Sequence, residues 1–166
     1  MRIYKAEAFR EPPNCVLLDL DNTLYDYAPC NGAGMAAARA LAQKLLSIAA
    51  ADFDGCFADA RLEIKARLGA TGASHNRLLY FQRTLERAGF SSQPFASLQL
   101  EQAYWRAYLD SAVLFEQVHE FLDDLRIAAV PVVVVTDLTA QIQLRKLTVL
   151  GLDSLIDWIV TSEESG

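Results

Sequence analysis

LLDLDNTLYD, Leu17 to Asp26, is the stretch on which the fold turns. It closes the apolar run Cys15 to Leu20, which Pro12, Pro13 and Asn14 precede, and it carries two aspartates two residues apart with a threonine just beyond. A short, continuous apolar run bounded by turn formers reads as a strand buried on both faces. Residues two apart in a strand share a side, so Asp19 and Asp21 overhang one end of it together. Two carboxylates so placed repel unless a cation or a proton lies between them. The pair therefore reads in one of two ways. It is a turn whose side chains bond the local backbone, or a site in which one carboxylate is held ionised by a divalent cation while its neighbour exchanges a proton.

Two further runs of strand formers lie downstream: Val130 to Val135, where Pro131 sits near the start and its missing amide donor is tolerated, and the weaker Trp158 to Thr161. Between the first and second runs the spacing turns helical. Met35, Ala38, Leu41, Leu45 and Ile48 recur at intervals of three and four, as do Phe53, Phe57, Ala60, Ile64 and Leu68, with Gly69 placed to stop that helix. Ser74 is expected to cap a third helix running through Leu78, Leu79, Gln82 and Leu85 to Gly89, and a fourth carries Leu98, Tyr104, Trp105 and Tyr108. Amphipathic helices over Phe115 to Arg126 and Ala140 to Leu150 separate the strands that follow. Strand, helix, strand, helix, strand is the pattern of a parallel sheet flanked by helices. The fold class is thus α/β: a Rossmann-like parallel core over residues 12–27 and 112–166, with an inserted α-helical cap over 28–111. In open sheets of this kind ligands bind at the carboxyl ends of the strands.

Composition excludes several functions. The chain of 166 residues carries a net charge of −6, with 15 Lys and Arg that form no cluster, which argues against nucleic acid as a partner. Its three cysteines, Cys15, Cys30 and Cys56, are odd in number and lack CxxC spacing, so neither a disulfide framework nor a zinc site is expected, and a reducing cytoplasm is the expected location. The segment MRIYKAEAFREPPN has no secretory apolar stretch, and no run approaches the roughly 20 apolar residues of a membrane helix.

The segments DLDNTL, VVVVTD and LRKLTVLGLDSLIDWIVTSEESG, in that order, resemble the first two motifs of the haloacid dehalogenase (HAD) superfamily and the stretch that follows the second. The helical insertion is similar to the caps of its phosphatase, mutase and dehalogenase branches. The resemblance implies hydrolysis of a small phosphorylated molecule in two steps. Asp19 is the implied nucleophile, forming an aspartyl-phosphate; Asp21 is the implied general acid and then base. Mg²⁺ is the implied cofactor, held by Asp19 and by the backbone carbonyl of Asp21, and Thr136, Asp137 and Asn22 stand in the phosphate-binding positions. Dehalogenases of the superfamily lack an aspartate where this chain has Asp21, which favours phosphate chemistry.

Other residues carry less. His75 and Arg77, near the start of a cap helix, read as capping or solvated residues, with substrate contact as the alternative. Gly32 and Gly34 are candidate hinges, His119 and Lys146 read as structural and surface residues, and Tyr104, Trp105 and Tyr108 as cap core. Asp137 departs from the asparagine usual in motif two. The resemblance also leads one to expect a Lys-Pro motif and an acidic pair beyond Gly166, together with strands that would flank the first one. Without them that strand becomes an exposed edge, so the expectation is either a fragment of a longer enzyme, truncated before motif three, or a partner chain, a second copy included, that covers the edge. The alternative to a phosphatase is accordingly a non-catalytic HAD-like domain that acts through oligomerisation or partner binding.

Overall fold

The computed structural model describes residues 13–165; the amino-terminal reading above falls, up to Pro12, outside them. Three strands, β1 (Val16–Leu18), β2 (Val132–Thr136) and β3 (Trp158–Thr161), form one parallel sheet in the order β1-β2-β3. The register pairs Leu17 with Val133 and Val133 with Trp158, and places Thr136 beside Thr161 at the carboxyl edge. Between β1 and β2 the chain makes α1 (Tyr27–Leu46), α2 (Ala50–Leu68), a 3₁₀ turn (Gly72–His75), α3 (Arg77–Arg87), α4 (Pro94–Asp110) and α5 (Val118–Ile127). The helix α6 (Ala140–Val149) joins β2 to β3, and a single turn, α7 (Ser162–Ser165), follows. The family-level expectation of an α/β, Rossmann-like fold carrying a helical insertion agrees with this architecture.

Several boundaries differ from the sequence reading, each for a local reason. β1 spans three residues rather than six, because the backbone turns at Leu20, whose carbonyl accepts from the Thr23 and Leu24 amides. α1 starts at Tyr27, eight residues ahead of its apolar spacing, since the Asp26 carboxylate caps it by accepting from the Ala28 amide. Asn76, not Ser74, caps α3, accepting from the Leu78 and Leu79 amides. The face α3 buries is Arg77, Tyr80, Phe81, Thr84 and Leu85, and Gln82 is exposed. An aromatic cluster decides that face: Phe81 lies against Phe53, Phe57 and Tyr104, and Tyr104 against Trp105 and Tyr108.

Gly32 and Gly34, the candidate hinges, lie inside α1. Gly34 is where α1 and α4 touch: a Cβ there would stand 2.7 Å from the Tyr104 ring. One hydrophobic cluster runs from these helices through Leu20, Leu24 and Tyr25 to Val132, Val134, Ile142 and Leu147. The sheet is therefore packed on the face carrying Val132, Val134 and Thr136. Its other face is open among the described residues, with Leu17 69%, Val135 47% and Trp158 60% exposed. The expectation that β1 is buried on both faces fails at Leu17.

Candidate active site

β1 and β2 end side by side, so the residues just past them share the carboxyl rim of the sheet. One cavity of about 270 Å³ opens there. Its floor is Asp19, Asp21 and Asn22 after β1 and Thr136, Asp137 and Leu138 at the end of β2; its roof is Tyr27 of α1, Arg61 and Lys65 of α2, His75 of the 3₁₀ turn, and Arg77 of α3. Every candidate site residue named from the sequence thus lines a single cavity. Arg61, Lys65 and Tyr27 join them unannounced. The sequence signal for two of these was a pair of cations four apart on a helix, which shares one face.

The carboxylates of the floor differ in surroundings. Asp19 is exposed, accepts from the Leu20 amide at 2.7 Å, and has no cationic partner among the described residues. Asp21 is bound from several sides: the Lys146 ammonium donates to both of its oxygens at 2.7 and 2.8 Å, and the Tyr25 hydroxyl donates to one of them. Lys146 was read as a surface residue; it is 0% exposed. The ammonium lies 5.4 to 5.9 Å from the ring centres of Tyr25, Trp105 and Tyr108, a cation–π setting that complements the ion pair. Burial pushes its pKa below the ordinary lysine value, against the opposing pull of Asp21. Burial, with Asp21 adding to it, holds the Tyr25 phenol far above the usual range, so this hydroxyl stays a donor. It also hydrogen-bonds the Tyr108 hydroxyl at 2.7 Å.

The second strand supplies a matching set. Gln143, fully buried on α6, donates to the Thr136 hydroxyl at 2.7 Å and to the Asp137 carbonyl. Its acceptor oxygen has no partner. Thr136 is 6% exposed and is held by this contact; the N-cap of α6 is Thr139. Asn22 adopts φ +62°, a left-handed conformation that asparagine tolerates, and its side chain accepts from the Tyr27 amide at 3.0 Å. The loop after β2 is fastened to the end of β3: the Leu138 amide donates to Ser162 at 3.1 Å and the Ala140 amide to Glu163 at 2.8 Å.

In the roof, Arg77 is 8% exposed, so the reading of a solvated residue is corrected. Its guanidinium donates to the His75 carbonyl at 2.9 Å and to the Tyr27 hydroxyl at 2.8 Å, and lies over the rings of Tyr80, Tyr104 and Trp105. His75 is half-buried, and burial followed by the charge of Lys65 lowers its pKa, which keeps the imidazole neutral at pH 7. His119 is exposed on α5, away from the residues lining this cavity.

The donor set suits a hard cation. Asp19 offers an unpaired carboxylate, and Asp21, with its side chain engaged by Lys146, has its backbone carbonyl left to give. Among the described residues no three His, Cys, Asp or Glu cluster as ligands, so two protein oxygens would leave a Mg²⁺ with most of its water. The three cysteines are unpaired, and no helix among the described residues is long and apolar enough to cross a membrane.

The pattern of the family described as haloacid dehalogenase-like hydrolase matches residues 16–166. Among curated proteins, a ribulose-1,5-bisphosphate 5-phosphatase from Halopiger xanaduensis is 47% identical over 156 residues, covering 91% of this chain; the chain spans 64% of that protein's length. Among solved structures, the HAD-hydrolase candidate YfnB from Bacillus subtilis, bound to magnesium, superposes with a TM-score of 0.61 at 20% identity, over 90% of this chain and 65% of its own. A 2-haloacid dehalogenase from Pseudomonas syringae gives 0.61 at 22%, over 92% and 65%. At such identities the structures speak for the fold alone.

Proposed function

The chain belongs to the haloacid dehalogenase-like hydrolase family, and from that premise we propose that it carries the site of a magnesium-dependent phosphatase acting on a small organophosphate. An oxygen of the Asp19 carboxylate attacks phosphorus, the ester P–O bond breaks, and the leaving oxygen takes a proton from Asp21. Water then attacks the aspartyl-phosphate, gives a proton back to Asp21, and releases phosphate with Asp19 restored. Thr136, Asn22 and the amides of the loop at Asp137 hold the phosphoryl oxygens in line. Mg²⁺ on Asp19 and the Asp21 carbonyl would supply charge neutralisation at the transferred group.

The observation that supports this reading is the shared cavity: Asp19, Asp21 and Thr136 face one space under a basic roof. The relative from Halopiger, named for phosphate ester hydrolysis, points the same way. Asp21 enters the reaction only by letting go of Lys146, because a carboxylate gripped through both oxygens by an ammonium has no proton to donate. The test is hydrolysis of p-nitrophenyl phosphate by the protein, with and without magnesium. Asp19→Asn is expected to lower kcat by at least about 10³-fold while circular dichroism stays unchanged. Turnover that survives the substitution, or none in the unsubstituted protein, rejects the phosphatase.

The second reading, a non-catalytic domain that works by association, is favoured by one feature, the open apolar sheet face at Leu17, Val135 and Trp158.

A further inference from the structure

Resting on the phosphatase reading, we propose that Arg61, Lys65 and Arg77 form a second anion subsite in the roof of the cavity, which recognises a second phosphate on the substrate, apart from the one hydrolysed over Asp19.

The helical insertion ties up most of its arginines in ion pairs. Arg39 pairs with Asp54, Arg67 with Glu63, Arg83 with Glu63 and Glu86, and Arg87 with Asp59 and Glu63. Arg61, Lys65 and Arg77 pair with no carboxylate among the described residues, and all three converge on the same cavity. Arg77 is the strongest sign of a missing ligand. It is more than nine-tenths buried, its partners are a carbonyl, a phenol and ring faces, and its Nε has no hydrogen-bond partner. A buried cation without a counter-charge is costly.

Arg61 and Lys65 lie one helical turn apart and present two charges to the same space. Burial lowers the Lys65 pKa, and the neighbouring charges of Arg61 and Arg77 lower it further; Asp137 across the cavity pulls the other way without forming an ion pair. Such crowding of like charge is relieved when an anion sits among them.

The division of charge says which part of the substrate goes where. The floor carries Asp19 and Asp137, which repel a second anionic group, while the roof attracts it. Two or three cations in forked and point-charge geometry match a phosphate dianion better than a single carboxylate. A volume of about 270 Å³, below the usual range for drug-sized ligands, suits a short carbon chain with a phosphate at each end.

Three compounds of equal length test this: pentyl phosphate, 5-phosphonooxypentanoate and pentane-1,5-diol bisphosphate, assayed on the full-length protein. The bisphosphate is expected to exceed pentyl phosphate in kcat/KM by about 30-fold, chiefly through KM, as two charge-assisted hydrogen bonds would give. In the Arg61→Gln/Lys65→Gln double variant, which alters two residues outside the hydrophobic core, that ratio falls to within about threefold of unity. The same ratio in the variant as in the unsubstituted protein overturns the subsite, and so does a ratio near one from the start. Equal rates for the carboxylate and the bisphosphate overturn the assignment to phosphate. If none of the three is hydrolysed, the phosphatase reading falls separately, and calorimetric titration of the same compounds decides the subsite. Tighter binding of the bisphosphate that the double variant loses supports it; equal affinities for all three overturn it.

Discussion

Both oxygens of Asp21 accept from one ammonium that water does not reach. Removing a single partner of such a pair leaves an uncompensated charge, which is costly where the group cannot resolvate. Asp21 retains 23% exposure, so the cost is smaller than for a fully enclosed pair. Lys146→Met is expected to lose about 2–4 kcal/mol in urea denaturation, and Asp21→Asn in the same chain to recover most of it. A double-mutant cycle with additive losses would show that the two do not act as a pair. Lys146 also marks a limit of sequence reading. Its spacing with Ile142, Gln143 and Leu147 places it on the buried stripe of α6, but a lysine is rarely found there unpaired, and its partner lies 125 residues away. Asp19, Asp21 and Thr136 were legible because each follows a strand-forming run, and the ends of parallel strands meet at one rim. Arg61 and Lys65 were not, because nothing local says which face of α2 overhangs that rim.

Among the elements of the insertion, α1 and α4 pack closely at Gly34. The Tyr104 ring and carbonyl lie 2.7 to 3.0 Å from where a Cβ on Gly34 would stand, and Tyr104 is fixed in turn by Phe81, Trp105 and Tyr108. The ring cannot swing away without disturbing its neighbours. Gly34→Ala is therefore expected to destabilise the fold by about 1–3 kcal/mol, although alanine is the better helix former. An increase in the urea midpoint would contradict this packing. In the sequence Gly32 and Gly34 look alike, and a flexible joint was the natural expectation for both. Only the facing tyrosine, 70 positions on, tells a contact glycine from an incidental one. The three strands were readable for the opposite reason, since runs such as Val132 to Val135 declare themselves locally. Their ends were not, because Leu20 and Val130 belong to turns that share the composition of the strand.

Across the described residues as a whole, the sheet is covered on one side and open on the other. The alternation along β2, buried at Val132, Val134 and Thr136 and open at Val135, was invisible in an unbroken run of valines. An unbroken run of that kind is what a strand covered on both faces shows. The hydrophobic cluster, by contrast, runs without a break from the insertion into the sheet, so roof and floor meet as packed surfaces and not as beads on a tether. At one place the meeting is backbone against backbone. Gly72 is buried with the Glu163 amide and Cα 3.0 and 3.1 Å from where a Cβ would stand, and Glu163 braces the loop behind Thr136. Gly72 is thus the point at which the 3₁₀ turn rests on the segment after β3. A methyl group there would act as a wedge, prising Arg77 and His75 away from Asp19 by a fraction of an ångström. Gly72→Ala is expected to raise KM for a phosphate ester about fivefold, with some loss of stability from the same contact; an unchanged KM would mean that the 3₁₀ turn finds its seat elsewhere.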